Sequence, residues 1–232
     1  MACFQTQGAT AMVLGDSFVA RLKQHIDTKA REMGATHKEG QCPLQKPRAR
    51  ALKAPRAISD VYFYGVGGTG VTLPTKKFNL PKDLILSISP KFVIIDIGGN
   101  DVDSNASALQ IANAKVDLAK EVISLGVDCV LLTTILPRDS TRHMSPSDYR
   151  EKAVMANEWT CEIIRLDPLA NRLQFHPHRG FWRDDNRNEV DTSAWSSDGV
   201  HPNEEVGLEK LTRSFTRALH NMAKTLLNAP VN

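Results

Sequence analysis

Apolar positions along this chain follow two different periods. Continuous apolar runs, typical of strands that are buried on both faces of a parallel sheet, occupy residues 11–14, 91–97 and 128–134. Over 18–33 and 109–123, apolar residues instead recur every three or four positions, as they do on one face of a helix. Strands that alternate with helices at this spacing predict an α/β fold, with a central parallel sheet and helices on both of its faces.

The remaining segments extend the same pattern. Residues 60–64 are rich in β-forming side chains, and 172–175 form a candidate last strand, which gives five strands in all. Ser104 is placed to cap the helix that ends near Gly126, Ser145 opens a helix through Ile164, and a last helix runs from about Asn203 to Leu227. Nothing in 232 residues requires a division, so we expect a single domain over 10–228 behind a tail of residues 1–9.

Composition excludes several classes of protein. Apolar content of 41% and charged content of 24% are ordinary for a globular domain, and no apolar run approaches the ~20 residues that cross a bilayer. The first residues lack a basic start followed by an apolar core, so we expect a cytoplasmic or nuclear protein. The four cysteines show no C-x-x-C spacing and predict free thiols rather than disulfides or zinc: Cys3, Cys42, Cys129 and Cys161.

A basic segment interrupts the helical and strand patterns between residues 37 and 56. Three prolines divide it, and Glu39 is its one acidic residue, so we predict a long exposed loop insertion. The net charge of +3 is too small to imply a nucleic-acid partner by itself. A solvated loop and a contact with nucleic acid therefore both stay open, the latter through Lys46, Arg48, Arg50, Lys53 and Arg56.

The first apolar run stops at Gly15-Asp16-Ser17, where a helical pattern begins. Such a turn can present a hydroxyl beside the partly positive N–H groups of a helix N-terminus, which suits an oxyanion that forms on whatever the serine attacks. Asp16 or Ser17 could equally be no more than a helix cap.

The second strand runs into a glycine turn, residues 65–70, which has the spacing G-x-G-x-x-G. A dinucleotide site also needs a helix directly after the turn, and Pro74 and Pro81 interrupt that stretch. The alternative is a turn whose glycines let a backbone N–H approach a ligand closely.

Several polar residues follow directly after predicted strands. Ser17, the glycine turn and Asn100 should therefore lie at the carboxyl edge of the sheet, where open α/β sheets bind their ligands. Asp198 and His201 lie in the loop before the last helix, which can return to the same edge.

Four short motifs, in the order in which they occur along the chain, resemble the motif blocks of the SGNH (GDSL-type) hydrolases: Gly15-Asp16-Ser17, the glycine turn, Gly99-Asn100-Asp101 and Asp198-x-x-His201. The resemblance covers nearly the whole chain and implies their flavodoxin-like three-layer α/β/α sandwich with a central five-stranded parallel sheet. Further stretches are similar to the esterase-type domains of some animal retrotransposon-encoded proteins: Leu136-Pro137-Arg138, the helix with Asn157, residues 178–182, and Asp198 to Asn203.

The resemblance also implies roles for individual residues. Ser17 would be the nucleophile, His201 its general base and Asp198 the group that orients His201. The oxyanion hole would combine the N–H of Ser17, the N–H of Gly68 and the side chain of Asn100, with Gly68 chosen over Gly67 by spacing. We expect a serine esterase that needs no cofactor or metal and acts on an acetyl or short acyl ester of a small molecule, carbohydrate or lipid, with thioesters also open. The alternative is a binding module that keeps the fold and contacts nucleic acid through the basic loop over 37–56.

Each candidate has a simpler interpretation. Asp198 could cap the last helix, and His201 could be an ordinary loop histidine. His176 and His178 raise a weak metal hypothesis. Asp96 and Asp101 could form a carboxylate pair, but we expect Asp96 to make a structural hydrogen bond and Asp101 to shape its loop. The aromatic residues of 176–197 suggest a loop that covers a pocket.

Overall fold

A five-stranded parallel sheet forms the centre of the protein. The computed structural model describes residues 8–33, 45–183 and 189–227. Its strands are β1 (Ala9–Gly15), β2 (Ile58–Gly65), β3 (Phe92–Asp96), β4 (Cys129–Thr133) and β5 (Leu173–His176). Every pairing is parallel, in the order β2-β1-β3-β4-β5, so the predicted flavodoxin-like sheet is confirmed. The order reverses between β1 and β3, and ligands of open α/β sheets bind at such a switch point.

Seven α-helices connect or flank these strands in the described residues. They are α1 (Ser17–Glu32), α2 (Gln45–Ala51), α3 (Lys82–Ile88), α4 (Gly99–Val102), α5 (Ala108–Ser124), α6 (Pro146–Leu166) and α7 (Gly207–Leu227). The four long helices match the predicted ones. The short helices α2, α3 and α4 were not predicted, because one or two turns are too few to show a helical period.

The pleat of the sheet divides the core into two layers. Along β1, Ala11 and Val13 face a cluster with residues of α1, α2 and α7, whereas Met12 and Leu14 face a cluster with residues of α3, α5 and α6. All four side chains are fully buried, as the continuous apolar run predicted. The three layers thus place the carboxyl ends of the strands, and the loops after them, at one edge.

Two predicted helix starts are wrong by a few residues. Ser107, not Ser104, caps α5, and it forms a capping box with Gln110, while the Ser104 hydroxyl donates to the carbonyl of Asp101. The last helix begins at Gly207 rather than Asn203, because the Asn203 side-chain oxygen accepts the N–H groups of residues 206 and 207 ahead of it.

The prediction of an exposed loop over 37–56 is wrong for its second half. Residues 37–44 lie outside the described part of the chain, but α2 is helical and Leu52 is fully buried. Arg48 is only 7% exposed and pairs with Asp27, with Nε 2.6 Å from Oδ1 and Nη2 3.1 Å from Oδ2. This buried pair neutralises Arg48 and removes it from the candidate nucleic-acid contacts, whereas Arg50 stays exposed.

The aromatic residues of 176–197 do not cover a pocket. Phe181 and Trp195 are buried in the core cluster of α1 and α7, with ring centroids 5.9 Å apart. Residues 184–188 lie outside the described range. The loop has large aromatics because it completes the hydrophobic core between the last strand and the last helix.

Two smaller expectations concern the chain ends and the cysteines. Residues 1–7, with Cys3, and residue Cys42 lie outside the described part, whereas Cys129 is a free thiol buried in β4. In the described ranges, no helix is both long enough and apolar enough to cross a membrane.

Candidate active site

Ser17 lies where β1 passes into α1. The strand must end in glycine, because a Cβ on Gly15 would lie 2.1 Å from the carbonyl oxygen of Asp96. Asp16 is the N-cap of α1 and accepts a hydrogen bond from the N–H of Phe18 at 3.0 Å. The capping role therefore belongs to Asp16, and the Ser17 hydroxyl takes a different partner.

That partner is His201, which is 184 residues away in sequence. His201 Nε2 lies 3.0 Å from Ser17 Oγ, and its Nδ1 lies 2.7 Å from Asp198 Oδ2. The other Asp198 oxygen accepts the N–H groups of Val200 and His201, each at 2.9 Å. The predicted serine, histidine and aspartate thus form one continuous hydrogen-bonded line.

The loop that carries His201 is held from both sides. The N–H of Ser196 donates to the His201 carbonyl at 2.8 Å, and Asn203 Nδ2 donates to the carbonyl of Trp195 at 3.1 Å. The ring of Phe18, the residue after Ser17, meets the His201 ring edge-on with centroids 5.9 Å apart. These contacts fix the imidazole before any ligand arrives.

The glycine turn and Asn100 lie against each other. Asn100 Nδ2 donates to the carbonyl of Thr69 at 2.8 Å, and Gly68 has a φ of +74°, which favours glycine. Asp101 shapes the same turn, as its oxygens accept the N–H groups of residues 71 and 72. A Cβ on Gly70 would lie 2.5 Å from the Asp101 carboxylate, so this glycine allows close packing, and no helix follows the turn before α3.

Arg138 is a functional candidate that the sequence-based assignment of roles missed. Its Nη2 donates to Asn100 Oδ1 at 3.0 Å, and its guanidinium carbon lies 5.9 Å from the centre of the Phe18 ring and 5.3 Å from that of Tyr149. Arg138 is only 3% exposed, which is rare for an unpaired cation. Its position in the loop after β4, five residues beyond the end of the strand, could have indicated a role at the carboxyl edge.

Both the oxygen and the nitrogen of the Asn100 side-chain amide therefore form a hydrogen bond within the protein. Oδ1 accepts from Arg138, and one Nδ2 hydrogen points at the Thr69 carbonyl. The second Nδ2 hydrogen is left for a ligand, since an amide nitrogen carries two. Asn157 fixes the start of the segment before Arg138, because its side chain both accepts from and donates to the backbone of Ile135, at 2.7 and 3.0 Å.

The pKa values of two carboxyl groups near Ser17 are shifted in opposite directions. Partial burial opposes ionisation of Asp198, but hydrogen bonds from the backbone and ring of His201 and from the backbone of Val200 outweigh it and lower its pKa to about 2. Burial, followed by the nearby charge of Asp96, raises the pKa of Asp16 to about 7. Asp198 is thus ionised at neutral pH, as a partner for an imidazolium must be.

An open cleft of about 850 Å³ passes over these groups. Its lining includes Ser17, Gly68, Asn100, Arg138 and His201, whereas Gly67 does not contribute. The hydroxyl, the imidazole, the amide and the turn therefore face one space that is large enough for a small-molecule ligand.

The other sequence candidates have structural roles. His176 Nε2 and His178 Nδ1 both lie within 2.9 Å of the Ser214 hydroxyl, and the Thr133 hydroxyl donates to Asp96 Oδ1 at 2.9 Å. The described residues hold no cluster of three or more histidine, cysteine or acidic side chains with the geometry of a metal site. The histidine pair and the carboxylates thus belong to the interior of the fold.

The profile of the GDSL-like lipase/acylhydrolase family matches residues 13–206. The chain belongs to this family. It is therefore an ester-hydrolysing enzyme, and the match extends from β1 through the Asp198–His201 loop. Comparison with curated proteins finds no match.

Solved structures share the architecture at low sequence identity. A GDSL-like lipase from Bacteroides thetaiotaomicron VPI-5482 superposes with a TM-score of 0.62 at 14% identity, over 92% of this chain and 89% of that one. The aryl esterase of M. smegmatis gives 0.58 at 16%, over 94% and 100%. Est24, a carbohydrate acetylesterase from Sinorhizobium meliloti, gives 0.59 at 15%, over 92% and 99%. These similarities establish the fold.

Proposed function

We propose that the protein is a serine esterase that hydrolyses acetyl or other short acyl esters through an acyl-enzyme on Ser17. The observation that carries the proposal is the line from Ser17 Oγ to His201 Nε2, 3.0 Å, and from His201 Nδ1 to Asp198, 2.7 Å. A serine becomes a nucleophile when a base is within hydrogen-bond reach and a third group orients that base.

In the first half of the reaction, Ser17 Oγ attacks the ester carbonyl carbon while its proton passes to His201 Nε2. The negative charge that develops on the carbonyl oxygen is stabilised by the backbone N–H groups of Ser17 and Gly68 and by the side chain of Asn100. The carbon–oxygen bond to the alcohol then breaks, and the imidazolium returns the proton to the departing alcohol.

In the second half, water attacks the acyl group on Ser17. His201 takes a proton from this water, and the second tetrahedral species collapses to release the acid and the Ser17 hydroxyl, which recovers its proton from His201. Asp198 stabilises the imidazolium in both halves and keeps its own charge, as its low pKa of about 2 indicates. The cycle needs no cofactor.

The acyl group is proposed from structural relatives. One similar structure, at 14% identity, is an acetyl esterase variant with an acetate ion, and another is the carbohydrate acetylesterase Est24. Since both are named for acetyl esters, we propose an acetyl ester as the first substrate class to examine. Carbohydrate, lipid and thioester leaving groups all fit the same mechanism.

The test is hydrolysis of p-nitrophenyl esters of increasing acyl length by the wild type, Ser17→Ala and Ser124→Ala. Ser124 is an exposed serine at the end of α5 and serves as the matched control. We expect the acetate to be cleaved fastest, Ser17→Ala to be inactive and Ser124→Ala to equal the wild type. Equal rates in the wild type and Ser17→Ala would refute the mechanism, and a preference for long acyl chains would refute the substrate class.

A further inference from the structure

The cleft beside Ser17 is lined by more positive than negative charge. Lys76, Arg138 and Arg142 contribute permanent cations, and His143 adds a titratable ring. The one carboxylate in the lining is Asp103. An excess of one sign of charge in a cleft concentrates ligands of the opposite sign.

Asp103 forms no salt bridge with these cations in the described part of the chain. Its side-chain oxygens accept the backbone N–H groups of Arg142 and His143, at 2.9 and 3.0 Å, and the residue is only 6% exposed. The carboxylate is thus occupied in folding the turn that carries Arg142. The Arg142 side chain is exposed, and in the described part of the chain it forms no ion pair with an acid.

Lys76 lies beside the glycine turn. Its Nζ is 3.8 Å from the position that a Cβ on Gly68 would occupy, which brings an ammonium group next to the proposed oxyanion hole. Within the described ranges, no acidic side chain forms a salt bridge with Lys76. Its charge is therefore available to a ligand in the cleft.

Arg138 adds a desolvated charge at the floor of the cleft. It is 3% exposed, its Nε is buried without a hydrogen-bond partner, and within the described residues Asn100 Oδ1 is its one side-chain acceptor. A charge in such surroundings acts over a longer distance than one in water, because the surrounding medium screens it less.

We propose that the ester this enzyme hydrolyses best carries a second, anionic group, such as a carboxylate, sulfate or phosphate, which Lys76 and Arg142 bind while Arg138 adds to the attraction. The inference rests on the proposed esterase activity at Ser17. It differs from a purely catalytic role of the cations, because stabilisation of the oxyanion would favour neutral and anionic esters equally.

The experiment compares esters that differ only in charge. For the alcohol side, the pair is para-acetoxybenzoate and para-acetoxybenzamide; for the acyl side, it is monophenyl adipate and its terminal amide. Each kcat/KM is divided by the uncatalysed rate of the same ester in the same buffer. The ratio of anionic to neutral ester then reports recognition of the charge, and the two pairs distinguish an anionic alcohol from an anionic acyl group.

We expect this ratio to exceed one for at least one pair in the wild type and to decrease as salt rises. Lys76→Met and Arg142→Met should each lower it by about threefold, and the double charge reversal Lys76→Glu/Arg142→Glu should lower it by more than about tenfold. Lys77→Met is the matched control, because Lys77 is the adjacent lysine and lines a different cleft, beside Phe78 and Leu118. Its ratio should equal that of the wild type.

The outcomes separate the two proposals. If Ser17-dependent hydrolysis occurs but the ratio is near one in both pairs, or falls equally in Lys77→Met, the anionic substrate is refuted and the esterase stands. If Lys76→Met and Arg142→Met lower kcat/KM equally for the charged and the neutral esters, the cations stabilise the oxyanion, and the proposal of an anionic substrate is again refuted. Hydrolysis of none of the four esters would overturn both proposals.

Discussion

Two sets of serine, histidine and aspartate occur in this molecule, and they differ mainly in their access to solvent. Ser17 and His201 line the cleft, and the side chain of Asp198, which bonds His201 from behind, is 43% exposed. Ser214, His178 and Asp96 are all more than nine-tenths buried. The same three residue types are therefore not by themselves an active site.

The hydrogen bonds of the two sets differ as well. In the cleft, His201 contacts its serine through one ring nitrogen and its aspartate, at 2.7 Å, through the other. In the interior, His178 Nε2 lies 3.7 Å from Asp96 Oδ2, which is too long for a hydrogen bond.

The interior serine is also shared between two histidines. Ser214 Oγ bonds both His178 and His176, at 2.8 and 2.9 Å. Burial, together with His178, lowers the pKa of His176 to about 4, so this ring is neutral at physiological pH. The interior set holds α7 on the sheet, whereas the cleft set has a hydroxyl, a base and space for a substrate.

The largest effect that tests this comparison is expected from the two serines. Ser17→Ala should lower kcat for p-nitrophenyl acetate by at least about 10³-fold, because it removes the proposed nucleophile. Ser214→Ala should change kcat by less than about threefold but lower the free energy of unfolding by about 1–3 kcal/mol, since two buried histidine nitrogens lose their partner. Steady-state kinetics and urea unfolding measure both. A folded Ser214→Ala protein without activity would break the comparison.

The next effect concerns side-chain amides. Asn100→Ala should lower kcat by about 10²- to 10³-fold with a small change in KM, since the amide acts on charge that develops only in the transition state. Asn113→Ala, an exposed asparagine on α5 that donates to the carbonyl of Leu109, is the control and should keep full activity. A higher KM with an unchanged kcat for Asn100→Ala would mean that Asn100 binds the substrate in its ground state and would exclude it from the oxyanion hole.

A smaller effect is expected from Arg138, which acts as a positioning residue for Asn100. Arg138→Met should lower kcat for a neutral ester by about tenfold, the size of one hydrogen bond to a charged group. A double-mutant cycle separates positioning from stability: in the Asn100→Ala background the effect of Arg138→Met on kcat should disappear, while its effect on unfolding remains. Additive losses in kcat would contradict the positioning role.

The smallest effect on activity, and a clear one on stability, is expected from Asp16→Asn. The pKa of Asp16 is raised from 3.8 to about 7 in the folded protein, so the folded state binds this proton more tightly than the unfolded state does. Stability from this group is complete below pH ~4 and decreases as the pH rises to ~7, by roughly 1.4 kcal/mol for each unit between the two pKa values.

Asparagine can keep the hydrogen bond from the N–H of Phe18 and cannot ionise. Relative to the wild type, Asp16→Asn should therefore gain stability as the pH rises from 4 towards 7, as measured by urea unfolding at several pH values. An unchanged difference between the two proteins across this range would show that Asp16 titrates normally in the folded state.

The sequence determined the architecture to a large extent. The apolar runs of β1, β3 and β4 could be predicted because a strand that is buried on both faces must be apolar at every position. The long helices followed from their apolar period. The short helix α2 could not be predicted, since its two turns show no helical period and its Arg48 pairs with Asp27 on a different helix.

The grouping of the candidate site residues could be predicted for a related reason. Strand ends are visible in the sequence, so Ser17, the glycine turn and Asn100 could be assigned to one edge, and the resemblance to a family supplied the roles. The proximity of His201 to Ser17 could not be derived from a local pattern. The two residues are 184 positions apart, and the packing of the last loop brings His201 Nε2 to 3.0 Å from Ser17 Oγ.

By itself, the sequence determined the parallel sheet and the placement of Ser17, the glycine turn and Asn100 at one edge of it, because hydrophobic period and strand ends are local properties. The tertiary structure decided which aspartate and histidine belong to Ser17 and which to Ser214, and that Arg138 is buried against Asn100. It also decided that Phe181 fills the core instead of covering a cleft. Burial and hydrogen-bond geometry depend on residues that are distant in the chain, and no local pattern records them.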